Sequence, residues 1–176
     1  WQGEAALAMM ARLKGFIEEA PTILAGAGQA GLLRAVVLEA GYGRERVIGS
    51  APDALIGAAK AIVALEAQCS PTDVALSVLG TPPSGFVIPW SEASIAGHSV
   101  ERALAQVQIR RIEARIARLW PPGPYALGLA AARVAESMAT SARRTHTVLT
   151  MLSGEFGVRD RVGLMPCLLG PAGIRE

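Results

Sequence analysis

The side chains in this sequence that could do chemistry are few and scattered. Two histidines, His98 and His146, are the groups whose ordinary pKa lies near neutrality. No carboxylate or nucleophile stands near either at a spacing that would make a dyad, so each reads as a surface histidine or one satisfied by its surroundings. Cys69 and Cys167 lie far apart with no CxxC spacing, which reads as two free thiols in a reducing compartment. No His/Cys/Asp cluster has ligand spacing, so a metal centre is not expected. Asp53 and Lys60 fall in a helical stretch and are expected to face solvent.

One phosphate-binding pattern is present. Gly26-Ala27-Gly28-Gln29-Ala30-Gly31 is formally GxGxxG, between a short apolar run at 22–25 and a helical stretch at 32–40. In such a turn glycines let the backbone approach a pyrophosphate at a helix N-terminus, making Gly26, Gly28 and Gly31 candidate cofactor contacts. The acidic residue that should follow about 20 positions on would fall near Arg46. Glu45 precedes the next strand and Asp53 comes late. A flexible strand-to-helix turn is the competing reading.

The stretch around which the chain is organised is 76–100, LSVLGTPPSGFVIPWSEASIAGHSV. An apolar strand-like run at 74–79 stops at Gly80, and a loop of Thr81, Pro82, Pro83, Ser84 and Gly85 follows. The chain then re-emerges as Phe86-Val87-Ile88-Pro89. A loop fixed on a strand is well placed to aim a reactive group, yet this one offers only hydroxyls, prolines and glycine.

The elements that would position these residues follow from periodicity. Helices are expected at 5–19, 53–68, 100–120 and from 125 to about 144. In the third, Leu104, Val107, Ile112, Ile116 and Leu119 form an apolar stripe, with Arg110, Arg111, Arg115 and Arg118 on the other face. No aromatic residues interleave for base stacking, so this face is expected to be solvated or subunit-facing rather than a nucleic-acid surface. A strand is expected at 46–50. Residues 145–152 and 162–169 read as a β-hairpin around a turn at 153–157.

Length and composition set the remaining bounds. The 176 residues are enough for one domain with a proper core. Mean hydropathy is high at +0.35, yet Arg34, Arg46, Lys60 and Glu66 interrupt the best membrane-span candidates. A net charge of +2 is too small to imply a polyanionic partner. No signal peptide is visible, and a cytoplasmic location is expected. The sequence begins with Trp1 rather than methionine, suggesting that this is not the natural start.

Several segments, in order, resemble the lactate/malate dehydrogenase family. Arg44-Glu45-Arg46-Val47-Ile48-Gly49 is similar to the family's Arg-Val-Ile-Gly segment, and 80–97 to its catalytic-loop region with Val-Pro and Trp-Ser...Ala-Gly. Tyr125-Ala126-Leu127-Gly128 is similar to its Trp-Ala-Ile-Gly, and Gly154-Glu155-Phe156-Gly157-Val158 with Pro166-Cys167-Leu168-Leu169-Gly170 to its C-terminal hairpin. The resemblance covers about 22–174. It implies an α+β fold like the family's C-terminal, substrate-binding domain, in which a twisted mixed or antiparallel sheet packs with long helices. The last strand–helix part of a Rossmann-type sheet would precede it. Residues 1–50 would be the remnant of the nucleotide-binding half and 51–176 the substrate-domain-like unit.

Counted without gaps, the resemblance puts Pro82 at the family's proton-transferring histidine, Leu55 at its aspartate and Ala58 at its carboxylate-binding arginine. Ala27 stands at its asparagine and Gly123 at its threonine. It also puts the GxGxxG at the wrong place for the pyrophosphate. Hydride transfer to a 2-keto acid needs a held nicotinamide, a proton donor and a cation on the carboxylate, so no catalytic residue is expected here. The resemblance implies that the first βαβαβ half, with its NAD site, and the final helix lie outside this chain. The leading expectation is a catalytically degenerate structural or interaction module forming a homo-oligomer, dimer or tetramer, with no cofactor of its own and an unidentified small ligand at most. The alternatives are an NAD-dependent 2-hydroxy/2-keto-acid oxidoreductase completed by a missing half, and a small nucleotide-binding protein using Gly26 to Gly31.

Overall fold

The computed structural model describes residues 2–17, 19–26, 28–81, 85–140 and 143–175. Helix α1 (Gln2–Ile17) leads into strand β1 (Thr22–Leu24), helix α2 (Gln29–Leu38), strand β2 (Val47–Gly49) and helix α3 (Ala51–Ala67). Short strands follow: β3 (Val74–Ala75), β4 (Leu79–Thr81), β5 (Gly85–Val87), β6 (Ser94–Ile95) and β7 (His98–Ser99). Next come helices α4 (Val100–Ala103), α5 (Gln106–Ile116) and α6 (Pro124–Ala139). The long strands β8 (Thr145–Ser153) and β9 (Arg159–Gly170) and the short β10 (Gly173–Ile174) close the fold.

The main sheet runs β1-β2-β8-β9-β4-β5, with β10 also on β9, while β3, β6 and β7 form a separate small sheet. Only β1 and β2 pair in parallel, and every other pairing is antiparallel. This is the expected α+β architecture, a mixed sheet packed with long helices and preceded by a strand–helix–strand unit. The parallel pair meets the long hairpin at one register point, Gly49 opposite Leu149.

Strand β8 has apolar residues on both faces, and from His146 to Leu152 every residue is buried. Ile48 and Val148 pack with Val134 and Met138 of α6 on one side. Leu149 and Met151 join Leu33, Leu55 and Val63 in the larger core on the other. The α2–α3 junction is tied to the sheet by polar bonds. Buried Gln29, in the first turn of α2, accepts the Ala51 N–H at 2.9 Å, and the Ser50 hydroxyl donates to the Leu24 carbonyl at 3.1 Å. One of the orphan donors at the start of α3 is thereby satisfied. Pro52 sits in the first turn, where its missing N–H costs nothing.

Two expected elements are divided. The apolar run 74–79 is not one strand: β3 pairs with β6 in the small sheet, whereas β4 pairs with β9 and β5 in the large one. The helix expected at 100–120 is interrupted at Leu104 and Ala105, which are extended. The Gln108 side chain accepts the Ala105 N–H at 2.8 Å and restarts the helix. The break changes the buried face: Ile109, Ile112 and Ile116 point inward while Val107 is left 64% exposed.

The hairpin turn carries an ion pair. The Arg44 guanidinium donates to Glu155 at 2.8 Å. This bond, aided by the Ser153 backbone N–H, holds the Glu155 carboxyl down to about 2 from an ordinary 4.5. A carboxyl depressed on folding stabilises the native state above its unfolded pKa and loses that contribution as pH falls toward the folded one. Acid titration of unfolding should therefore show a loss of stability between pH 4.5 and about 2 that is smaller in Glu155→Gln. At the β2–β8 contact, a Cβ on Gly49 would lie 2.8 Å from the Leu149 Cβ and 2.7 Å from the Gln29 Oε1. Gly49→Ala should cost about 1–3 kcal/mol by overpacking, measured by denaturant unfolding.

Candidate functional site

The resemblance places substrate-binding positions on α3, at the start of α6 and in two loops. Leu55 is 1% exposed and belongs to the main core, so its side chain is committed to packing. Ala58, one turn on, is half-buried. Gly123 is the exposed N-cap of α6 and offers no side-chain hydrogen bond. Ala27 and Pro82 lie outside the described residues. The three described positions therefore present no ionisable or hydrogen-bonding side chain.

Gly26, Gly28 and Gly31 surround the start of α2. A Cβ at any of them would meet nothing within 4 Å, so neither close packing nor left-handed backbone requires glycine there. Gly31 borders a broad cleft of about 680 Å³ that also carries Arg34, Arg159 and Arg161, opposed by Asp160. A second hollow, about 370 Å³ between the β4–β5 hairpin and β9, is apolar. Leu79, Val87, Leu152, Phe156 and Met165 line it, with Arg161 as its one charged residue among those described.

The polar centre of the molecule is elsewhere, and it corrects one sequence expectation. Asp53 does not face solvent: it is 7% exposed. Of the two readings open for His146, a surface residue or one satisfied by its surroundings, its 5% exposure and the Asp53 contact at Nδ1 fit the second. The Asp53 Oδ1 and the His146 Nδ1 are 2.9 Å apart, and the Arg133 guanidinium lies 3.7 Å from the Asp53 Oδ2. Each element has a local reason to deliver its residue. Asp53 occupies the first turn of α3, where the helix dipole favours a negative charge. His146 is the second residue of β8, and strand alternation puts it on the Val148 face toward α6. Arg133 is half-exposed on α6 and reaches over the pair.

Ninety-three positions separate the aspartate from the histidine, so no local spacing rule could join them. The available signals were weaker: an acid just after Pro52 at a helix start, and a histidine within a strand too apolar to have a solvent face. Asp53 accepting from Nδ1–H would fix the imidazole tautomer and turn the Nε2 lone pair outward, an arrangement suited to a proton acceptor. Across the hairpin His146 faces Cys167. Burial first, and the Glu155 charge second, push that thiol up to about 11, so it is not a thiolate nucleophile at neutral pH. His98 is exposed on β7, and Lys60 is half-buried on α3. Among the described residues no group of three His, Cys, Asp or Glu side chains could hold a metal ion, and no helix is long and apolar enough to cross a membrane.

No protein-family profile matches the chain. Among curated proteins it is 27% identical over 149 residues to the L-lactate dehydrogenase B-B chain of Danio rerio, covering 76% of this chain and 45% of that protein. It is 26% identical over 151 residues to the L-lactate dehydrogenase A chain of Sceloporus undulatus, covering 77% and 46%. The chain thus spans about half the length of the curated relatives it matches. Among solved structures, malate dehydrogenase from Aeropyrum pernix superposes with a TM-score of 0.89 at 17% identity, over 99% of this chain and 61% of that one. Malate dehydrogenase from Salinibacter ruber gives 0.89 at 21% identity, over 99% and 60%. The fold is that of these dehydrogenases, and the similarity extends to the curated sequences, as the sequence segments implied.

Replacing Asp53 leaves a buried imidazole N–H without its acceptor. Asp53→Ala should destabilise the chain by about 1–3 kcal/mol, measured by urea unfolding. His98→Ala, at an exposed position, should change stability little.

Proposed function

We propose that this lactate/malate dehydrogenase-like chain is catalytically degenerate and serves as a structural or interaction module. The observation that carries this reading is that Leu55, Ala58 and Gly123, which the resemblance puts at the family's aspartate, arginine and threonine, carry no group that ionises or donates a side-chain hydrogen bond. Leu55 is moreover locked in the core. Without a general acid a reaction of this kind slows by roughly 10²–10⁴-fold. Without a guanidinium the substrate carboxylate would have no partner for its charge.

Self-association through apolar helix surface is part of the proposal. Tyr125 is 94% exposed and Leu129, one turn on along α6, is 61% exposed. Exposed large apolar residues at adjacent turns suit a helix that docks on a second copy. Double substitution Tyr125→Ser with Leu129→Ser should shift the sedimentation coefficient toward that of a monomer while leaving the circular dichroism spectrum unchanged. A wild-type chain that sediments as a monomer at all accessible concentrations would overturn self-association.

The chain's span of about half its curated relatives favours one second reading. In it, an NAD-dependent oxidoreductase acting on a 2-hydroxy or 2-keto acid acquires its cofactor-binding half from protein outside this chain. The intact mass of the protein from its native source should be compared with 18.3 kDa, and NADH oxidation should be assayed with pyruvate and oxaloacetate. Absence of keto-acid-dependent oxidation by the native species is the expected result. Saturable turnover by a heavier native species would replace the degenerate-module reading with the oxidoreductase one.

A further inference from the structure

The Asp53–His146 pair opens onto a cavity of about 180 Å³ lined by Arg133, Glu136, Ser137, Thr140, Arg144 and His146. Two atoms in it stand out. The His146 Nε2 and the Ser137 Oγ are both buried and have no hydrogen-bond partner among the described residues. Their side chains are nine-tenths or more buried, His146 at 5% and Ser137 at 4% exposure. A buried polar atom left unmatched costs about 1–3 kcal/mol, so two lining one hollow define a place where a polar ligand is favoured. The arginine cleft beside Gly31 has exposed charges but no buried polar side chain among its lining residues.

The donors and acceptors restrict what fits. With Nδ1–H donated to Asp53, the neutral imidazole offers a lone pair at Nε2 and calls for an O–H or N–H donor. The Ser137 hydroxyl can donate or accept. Arg133 and Arg144 supply fixed positive charge at the rim. Against them stand the exposed Glu136 carboxylate and the C-terminal end of α6, where the helix dipole is unfavourable for an anion. That end is partly neutralised, since both the Thr140 N–H and its hydroxyl donate to the Glu136 carbonyl. The Asp53 charge is already engaged by His146 and Arg133. Arg133 is thus shared between Asp53 and the cavity, while Arg144, with no ion pair among the described residues, stands against the solvent-screened Glu136 carboxylate.

We propose that the cavity between α6 and β8 binds a small protonated oxyanion, hydrogen phosphate, with its one O–H donated to the His146 Nε2 and its charged oxygens facing Arg133 and Arg144. Ser137 completes the contact set from the helix side. The site occupies the second half of α6, about 15 to 25 Å along the helix from Gly123, and does not depend on the family's substrate positions. It requires neither a catalytic module nor a degenerate one.

The test uses the full chain labelled with ¹⁵N at histidine. Two histidines make assignment simple, and exposed His98 is an internal control. Titration with inorganic phosphate above the ordinary imidazole pKa should shift the His146 ring resonances saturably and leave those of His98 in place. Arg133→Ala and Arg144→Ala, both at exposed positions, should each weaken binding about tenfold, as expected for loss of a charge-assisted contact, and Arg144→Ala should do so with unchanged melting temperature. Sulfate, which carries no proton at this pH, should bind much more weakly. Phenyl phosphate, whose second pKa of about 6 leaves it without a proton at this pH, should likewise compete poorly, and competition equal to that of inorganic phosphate would overturn the O–H donation to His146. No His146 response to phosphate up to about 50 mM, a response unaffected by both arginine substitutions, or equal binding of sulfate would overturn the proposal.

Discussion

The structure depends on burying both faces of β8. A strand enclosed in this way must be apolar throughout, pair on both edges and tolerate almost no change in register, because a one-residue slip would exchange its two faces. Strand β8 meets these demands with three polar exceptions in its buried stretch, His146, Thr147 and Thr150. Its edges are taken by β2 and β9, and its faces divide between a large core containing α2 and α3 and a smaller one beneath α6. The elements that carry the dehydrogenase-like positions are arranged around it. Two of its own polar residues near one end, His146 and Thr147, are buried with the rest. The histidine is tolerated there because Asp53 supplies a partner.

Local pattern made much of this fold legible. The hairpin was readable because two apolar runs flank a glycine-containing turn, and α3 because its apolar residues recur at helical spacing after Pro52. The broken helix near Leu104 was not readable, since periodicity continues across residues 100–120 while only the Gln108 side chain marks the restart. The division of 74–79 was equally hidden: the apolar character of a run does not say that its two ends join different sheets. At the site, the residue types of Leu55 and Ala58, apolar and without an ionisable group, were visible directly. The Asp53–His146 contact was not, because it is created by packing α3 against β8 and leaves no trace in spacing along the chain.

The fold and the polar chemistry are therefore separable. The frame shared with lactate and malate dehydrogenases is kept by glycine at the β2–β8 contact, by the α2–α3 tie through Gln29 and by the long hairpin. None of these requires a reactive side chain at the family positions, in keeping with the general rule that function lives in sites placed on a fold. Conversely, the buried histidine–aspartate pair lies where α3, α6 and β8 converge, a rigid junction whose neighbours are already fixed by packing.

The single register point between Gly49 and Leu149 also bears on the order of assembly. The parallel β1–β2 pair is made before the hairpin, yet the lateral neighbour that β2 finds in β8 is made about a hundred residues later. Contacts of such high sequence separation close slowly, because the entropy of a long loop must be overcome before pairing is rewarded. A nascent chain paused before residue 145 would hold an open β2 edge beside α2 and α3, a surface competent to pair with other chains. The β2 edge is thus closed only when the hairpin is in place.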